Sequence, residues 1–184
     1  MQHSIRAFIG LGNIGKAYEK TKHNIGFLSL NFIAKSYGCR FKNIGFGFIA
    51  KLPNKILLFK PKSFMNICGE KVGVFCEHFN ITPEELCIIH DDMDIPLSKI
   101  RIKRGGGDAG HKGIKSISEN LQSKNFLRIR VGIGRPSTIS PTDWVLSEYQ
   151  GDLSSVLDLV KSAVETIIEC GEEKAMNLYN RKNS

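Results

Sequence analysis

The chain has 184 residues, 41% of them hydrophobic and 24% charged, with a formal net charge of +8. That length suits one domain able to bury roughly 70% of its unfolded surface without covalent staples, and no apolar run approaches the ~20 residues of a membrane span. The five cysteines (39, 68, 76, 87 and 170) are odd in number and lack a C-x-x-C pair, which speaks against a disulfide scaffold and for reduced thiols in a cytosolic protein.

Residues 1–15 lack the charged start, long apolar stretch and cleavage site of a signal peptide. The apolar run 5–11 ends in glycine and predicts a buried first strand. Residues 24–37 place Ile25, Leu28, Phe32 and Ile33 at helical spacing and stop at Gly38. Segments 46–51 and 55–60 flank Pro53-Asn54 as a hairpin. A helix is expected over 63–79, with Ser63 as its N-cap and Met65, Val72, Val74, Phe75 and Phe79 as its apolar surface. The strand 86–90 runs directly into Asp91-Asp92, and 99–104 alternates Ile with basic residues as a half-exposed strand. Residues 111–121 read as a helix and 127–133 as an alternating strand, while 137–148 is a segment placed to act as a lid. One long amphipathic helix is expected over 152–178. Strands alternating with helices predict an α/β fold: a single domain with a twisted, mixed, largely parallel sheet and helices on both faces. Ligands of such folds sit beyond the carboxyl ends of the strands.

The charge is not evenly spread. Residues 99–135 carry ten Lys/Arg against two acids, a net +8 that equals the formal charge of the whole chain. The run surrounds Gly105-Gly106-Gly107, and positive charge beside close-approaching backbone suits a polyanion.

Residues 10–15 match G-x-G-x-x-G after a predicted strand, yet the ribose-binding acid is missing, since Glu70 is the next acid after Glu19. The loop is better read as a turn presenting Asn13. Serine-hydrolase, P-loop and zinc-protease signatures are missing too, so a hydrolase would need water activated by a side chain, with histidine the leading candidate. His3 and His78 read as solvated or structural and His90 as packed. His23, where a loop enters a helix, has possible partners in Asp91 and Asp92, which should face opposite sides of their strand. The acids of 90–94 could instead hold Mg²⁺.

Together these segments resemble the bacterial peptidyl-tRNA hydrolase family over nearly the whole chain. The matching blocks are Ile9-Gly-Leu-Gly-Asn13, Tyr18, Thr21-Lys-His-Asn-Ile-Gly-Phe27, Lys60-Pro-Lys-Ser-Phe-Met-Asn66 and His90-Asp-Asp-Met-Asp-Ile-Pro96. Lys103-Arg-Gly-Gly-Gly107, Gly110-His111 and the block 126–136 follow in the same order. The resemblance implies hydrolysis of the ester joining a peptide to the 3′ ribose of tRNA, an ester activated enough for a positioned base and oxyanion donors to suffice without metal or cofactor. Cysteine usage points to the cytoplasm, and a monomer is the default in the absence of any oligomer signal. The resemblance also implies His23 as general base, Asp91 as its carboxylate partner, and Asn13 and Asn66 as readers of substrate amides. Tyr18, Phe64 and Met65 would line the cleft for the peptide and terminal adenosine. Lys103 and Arg130 would meet phosphates of the acceptor arm, with His111 and Lys112 also on the substrate side. Ile14, Cys68, Ala109 and Lys112 depart from the family pattern, which usually has proline, serine, glycine and asparagine at these positions. Lysine only donates, so any acceptor role at position 112 is lost. Similar domains also serve as RNA-binding relatives without catalysis, which is the alternative reading.

Overall fold

The computed structural model describes residues 4–181. Its strands are β1 (Ala7–Gly10), β2 (Lys42–Asn43), β3 (Gly47–Lys51), β4 (Leu57–Pro61), β5 (Leu86–Asp92), β6 (Ile100–Arg104) and β7 (Leu127–Gly132). They form one sheet in the order β2-β3-β4-β1-β5-β7-β6. The inner strands β4, β1, β5 and β7 are parallel, while β3, β2 and β6 add antiparallel edges. Every residue of β1 and β5 is buried, as expected of strands covered on both faces. His3 lies outside the described residues.

One face of the sheet packs against α1 (Ile25–Ser36), α5 (Leu153–Cys170) and α6 (Glu172–Arg181), burying Phe8, Ile89, Ile129 and Val160. The other packs against α2 (Cys68–Phe79) and α3 (Lys112–Leu121), burying Ile9, Phe59, Phe75 and Ile117. Phe59 and Phe75 stack with ring centres 4.3 Å apart, and each such buried aromatic contributes on the order of 2–3 kcal/mol. On β6 and β7 the second face carries Arg101, Lys103, Arg128 and Arg130 in place of apolar residues. Registered pairs Arg101–Arg130 and Lys103–Arg128 set these cations side by side.

Three expectations need correction. The predicted helix 152–178 is two helices, broken at Gly171 with φ +83°. The break turns α6 onto edge strand β6, where the Asn180 amide pairs with both the N–H and the C=O of Ile102 and covers part of an open edge. Ser63 does not cap the helix that follows it; its hydroxyl is buried without a protein partner. The first N–H of that segment, on Met65, is taken instead by Asn13 Oδ1 at 2.7 Å, a cap supplied from another loop. Val74 faces outward on α2 rather than into the core. A further helix, α4 (Pro141–Leu146), capped by Ser140, occupies the segment read as a lid.

Candidate active site

Loops from the carboxyl ends of β1, β4 and β5 converge with the start of α3. His23 sits in a 3-10 turn, Lys22–Asn24, that leads straight into α1. Its Nδ1 lies 2.9 and 3.0 Å from the two carboxylate oxygens of Asp91, the penultimate residue of β5. Asp92, on the other face, bonds Arg130 instead at 2.8 Å, so the expected alternation holds.

A second imidazole reaches the same carboxylate. His111 Nε2 is 2.9 Å from Asp91 Oδ1, and its Nδ1 caps α3 by accepting the N–H of Ile114 at 3.2 Å. A backbone amide can only donate, so the proton of His111 resides on Nε2 and points at Asp91. Asp91 is an acceptor on both sides, and His23 donates from Nδ1. The lone pair of His23 is thereby left on Nε2, on a ring that lines the cleft. Burial alone would oppose a charge on Asp91, but the two imidazoles outweigh it and hold the carboxyl well below the usual carboxylate range. His90 donates from Nδ1 to the carbonyl of Asp91 at 2.8 Å. Burial, and secondarily the neighbouring His111, push its titration well below the usual histidine range, so it is the packed residue the sequence suggested.

Asn13 is held on both sides by a residue that sequence reasoning missed. Asn24 accepts from the N–H of Asn13 at 2.8 Å and donates to its C=O at 2.9 Å. Asn13 Oδ1 is already committed to Met65, so its NH₂ group is what it offers to the cleft. Among the described residues Asn66 has no protein partner for its side-chain amide, and it is exposed on the cleft wall. The cleft encloses about 410 Å³ and is walled by Phe64, Met65, His111 and Lys112 on one side and by Pro141, Thr142, Val145 and Leu146 of α4 on the other.

Comparison with known proteins assigns the family. A profile of the family described as peptidyl-tRNA hydrolase matches residues 7–184. The chain belongs to the peptidyl-tRNA hydrolase family. Its peptidyl-tRNA hydrolase relative in Thermodesulfovibrio yellowstonii is 40% identical, covering 94% of this chain and 97% of that one. The relative in Dichelobacter nodosus is 39% identical, with the same coverage of each chain. The crystal structure of peptidyl-tRNA hydrolase from Acinetobacter baumannii superposes with a TM-score of 0.88 at 32% identity, covering 98% of this chain and 96% of that one.

Within this member of the peptidyl-tRNA hydrolase family, the other predicted residues divide. Tyr18 does not line the cleft; it packs edge-on against Phe64 with ring centres 6.2 Å apart. Met65 is on the cleft wall but only 3% exposed, so it acts mainly as core. Lys103 and Arg130 lie outside the cleft on the basic face of β6 and β7. Gly10 and Gly12 are required by packing, since a Cβ would lie 2.4 Å from Gly26 O and 2.7 Å from the Phe27 ring respectively, while Gly15 is required by its φ of +108°.

Within the localised basic patch of residues 99–135 several cations are already partnered. Arg104 pairs with Glu172, Arg130 with Asp92 and Arg135 with Asp94. Arg128 is buried and donates to the carbonyls of Gly105 and Gly107. The sequence shows charges but not which are already neutralised at home.

Of the possible metal ligands, Asp91, Asp92 and Asp94 each serve a different nitrogen partner, which disperses the acids read as a Mg²⁺ site. His23, Asp91 and His111 do bring ligand atoms within 4.8 Å of one another. As bonded here, however, both facing nitrogens carry hydrogen, so neither offers a lone pair to a cation.

Lys22 is the other residue the sequence did not single out. It is fully buried, and burial lowers its pKa. Its Nζ donates to Ser147 Oγ at 2.6 Å and to Glu148 O at 2.7 Å, and sits 3.9 Å from the centre of the Trp144 ring. The residue next to His23 therefore ties down the α4 wall. The one available signal was Trp144, the only tryptophan, inside the segment read as a lid.

Proposed function

We propose that this chain hydrolyses the ester between a peptide, or an N-blocked aminoacyl group, and the 3′ ribose of tRNA, returning tRNA from aborted translation in the cytoplasm. The observation that carries the mechanism is Asp91 accepting from His23 and His111 together, which leaves His23 Nε2 as the base. In this reading Nε2 takes a proton from water, and the hydroxide attacks the ester carbonyl. The Asp91 carboxylate stabilises the resulting imidazolium, which returns the proton to the departing 3′ oxygen. In this mechanism the Asn13 and Asn66 amides donate to the substrate carbonyls, one of which becomes the oxyanion. A positioned base and such donors suffice for an activated ester without a metal, and the monomer is the simplest assembly.

The test is release of tRNA from N-acetyl-aminoacyl-tRNA, with free aminoacyl-tRNA as control. Cleavage of the blocked substrate alone is expected. Binding without cleavage would mean an RNA-binding relative instead.

The face bearing Arg101, Lys103 and Arg130 supports an acceptor-arm contact through phosphates. Affinity for tRNA should fall with salt at about 0.7–0.9 in log K per log salt for each phosphate, and Lys103→Ala should reduce the slope by about one such step. A flat salt profile would remove this part of the proposal.

Lys112 stands exposed on the cleft wall as the first residue of α3. We assign it a phosphate contact in place of the amide usual in the family. Lys112→Asn is then expected to lower the salt slope and change the rate; if neither moves, the assignment is wrong.

A further inference from the structure

A larger hollow than the catalytic cleft lies at the opposite pole of the molecule and is unused by the chemistry above. It encloses about 990 Å³ below the amino ends of β1 and β4, between β2–β3 and the junction of α5 with α6. Its floor is aliphatic, built from Ile5, Ile56, Leu57, Ile81, Ile167 and Ile168. Its rim holds Arg40, Lys42, Lys51 and Lys55, all exposed and, among the described residues, without a carboxylate partner. Glu172 is the one acid in the lining, and Arg104 already neutralises it. Outside residues 99–135 the formal charges cancel, yet the fold gathers four unpaired cations around this one hollow.

We propose that this groove is a docking site for an acidic amphipathic segment of a partner protein, whose carboxylates meet the rim while its aliphatic side chains fill the floor. The combination selects the partner class. Membrane surfaces are engaged by apolar groups that project into the lipid, whereas Ile5, Ile81 and Ile167 are recessed and at most 7% exposed. Single-stranded RNA stacks its bases on aromatic faces, and Phe79 is the only aromatic residue in the lining. A phosphate backbone would use the cations but leave the aliphatic floor uncovered. An acidic segment with leucine-like side chains uses both, and charge complementarity of this kind speeds encounter and fixes register.

The probe is a fluorescein-labelled twelve-residue peptide alternating glutamate and leucine, followed by anisotropy with the full chain. Saturable binding is expected, weakened about tenfold or more by Lys42→Glu/Lys51→Glu. A glutamine-for-glutamate peptide should bind correspondingly less, and an excess of tRNA should leave the acidic peptide bound. Arg40→Glu/Lys55→Glu gives an independent second pair, and the thermal melt confirms that each variant is folded. Peptide affinity unchanged by both pairs, or displacement by tRNA, would overturn the proposal. So would anionic vesicles or single-stranded RNA whose binding, unlike that of the peptide, is lost in these variants.

Discussion

Replacing Asp91 by asparagine is expected to lower kcat by about 10³–10⁴ while leaving KM for blocked aminoacyl-tRNA nearly unchanged. The size of the effect comes from the two imidazoles that share one carboxylate. His111 must present Nε2–H to residue 91, because Ile114 N–H occupies its Nδ1. An asparagine at 91 would have to turn its carbonyl oxygen to His111, which puts its NH₂ where Asp91 Oδ2 now sits, 3.0 Å from His23 Nδ1. The carbonyl oxygen is also 2.9 Å from Nδ1, so the two ends of the amide compete for it, and wherever the NH₂ donates to Nδ1 the His23 proton moves to Nε2 and the base loses its lone pair to the cleft. The charge opposite the imidazolium disappears as well. KM is spared because Asp91 is only 2% exposed and its carboxylate is taken up by His23 and His111, leaving it little surface to offer the substrate. His23→Ala should be similarly inactive, and the double variant no worse than either alone, since the two residues act as one unit. A kcat for Asp91→Asn within about threefold of the parent would defeat the tautomer argument. The two histidines keep Asp91 ionised far below neutrality. Its contribution to stability is present above the ordinary carboxylate pKa and is lost only as pH falls through the depressed one. Protonation of this carboxylate therefore does not limit activity in mild acid.

The sequence made some of this visible and hid the rest for identifiable reasons. The parallel strands were legible because burial on both faces writes them as continuous apolar runs, as in residues 86–90. Asp91 as the partner of His23 followed from strand alternation together with the family resemblance. His111 is also tied to Asp91, twenty positions away, through a loop whose path no periodicity encodes; its residue type was noticed but its contact was not. Gly171 interrupts an amphipathic pattern that resumes in phase after it, so two helices looked like one. The basic run hides its pairings for a related reason. Arg104 and Arg128 look like free cations in sequence, whereas one is neutralised by an acid 68 positions on and the other is buried beneath glycine carbonyls.

Gly26→Ala should cost about 3 kcal/mol or more, which for a chain of this length lowers Tm by roughly 6–12 °C. A Cβ at Gly26 would lie 2.3 Å from Leu11 N, 2.4 Å from Ile89 O and 2.6 Å from Leu11 O. All three atoms are backbone, two just past the carboxyl end of β1 and one in the middle of β5, so no side chain can swing aside to relieve the contact. Helix α1 would have to lift from the sheet, and His23 lies just before its first turn while Asp91 lies two residues beyond Ile89. Activity should thus fall further than the loss of folded protein explains, measured as kcat per folded molecule well below the melting temperature. Gly73→Ala is the matched control, since a Cβ there meets nothing within 4 Å on α2. It should stabilise the chain by about 0.5–1 kcal/mol and leave kcat alone. If Gly26→Ala melts like the parent, the close crossing of α1 over β1 and β5 does not set the site's geometry, and the spacing of His23 from Asp91 must be fixed from the α4 side through Lys22.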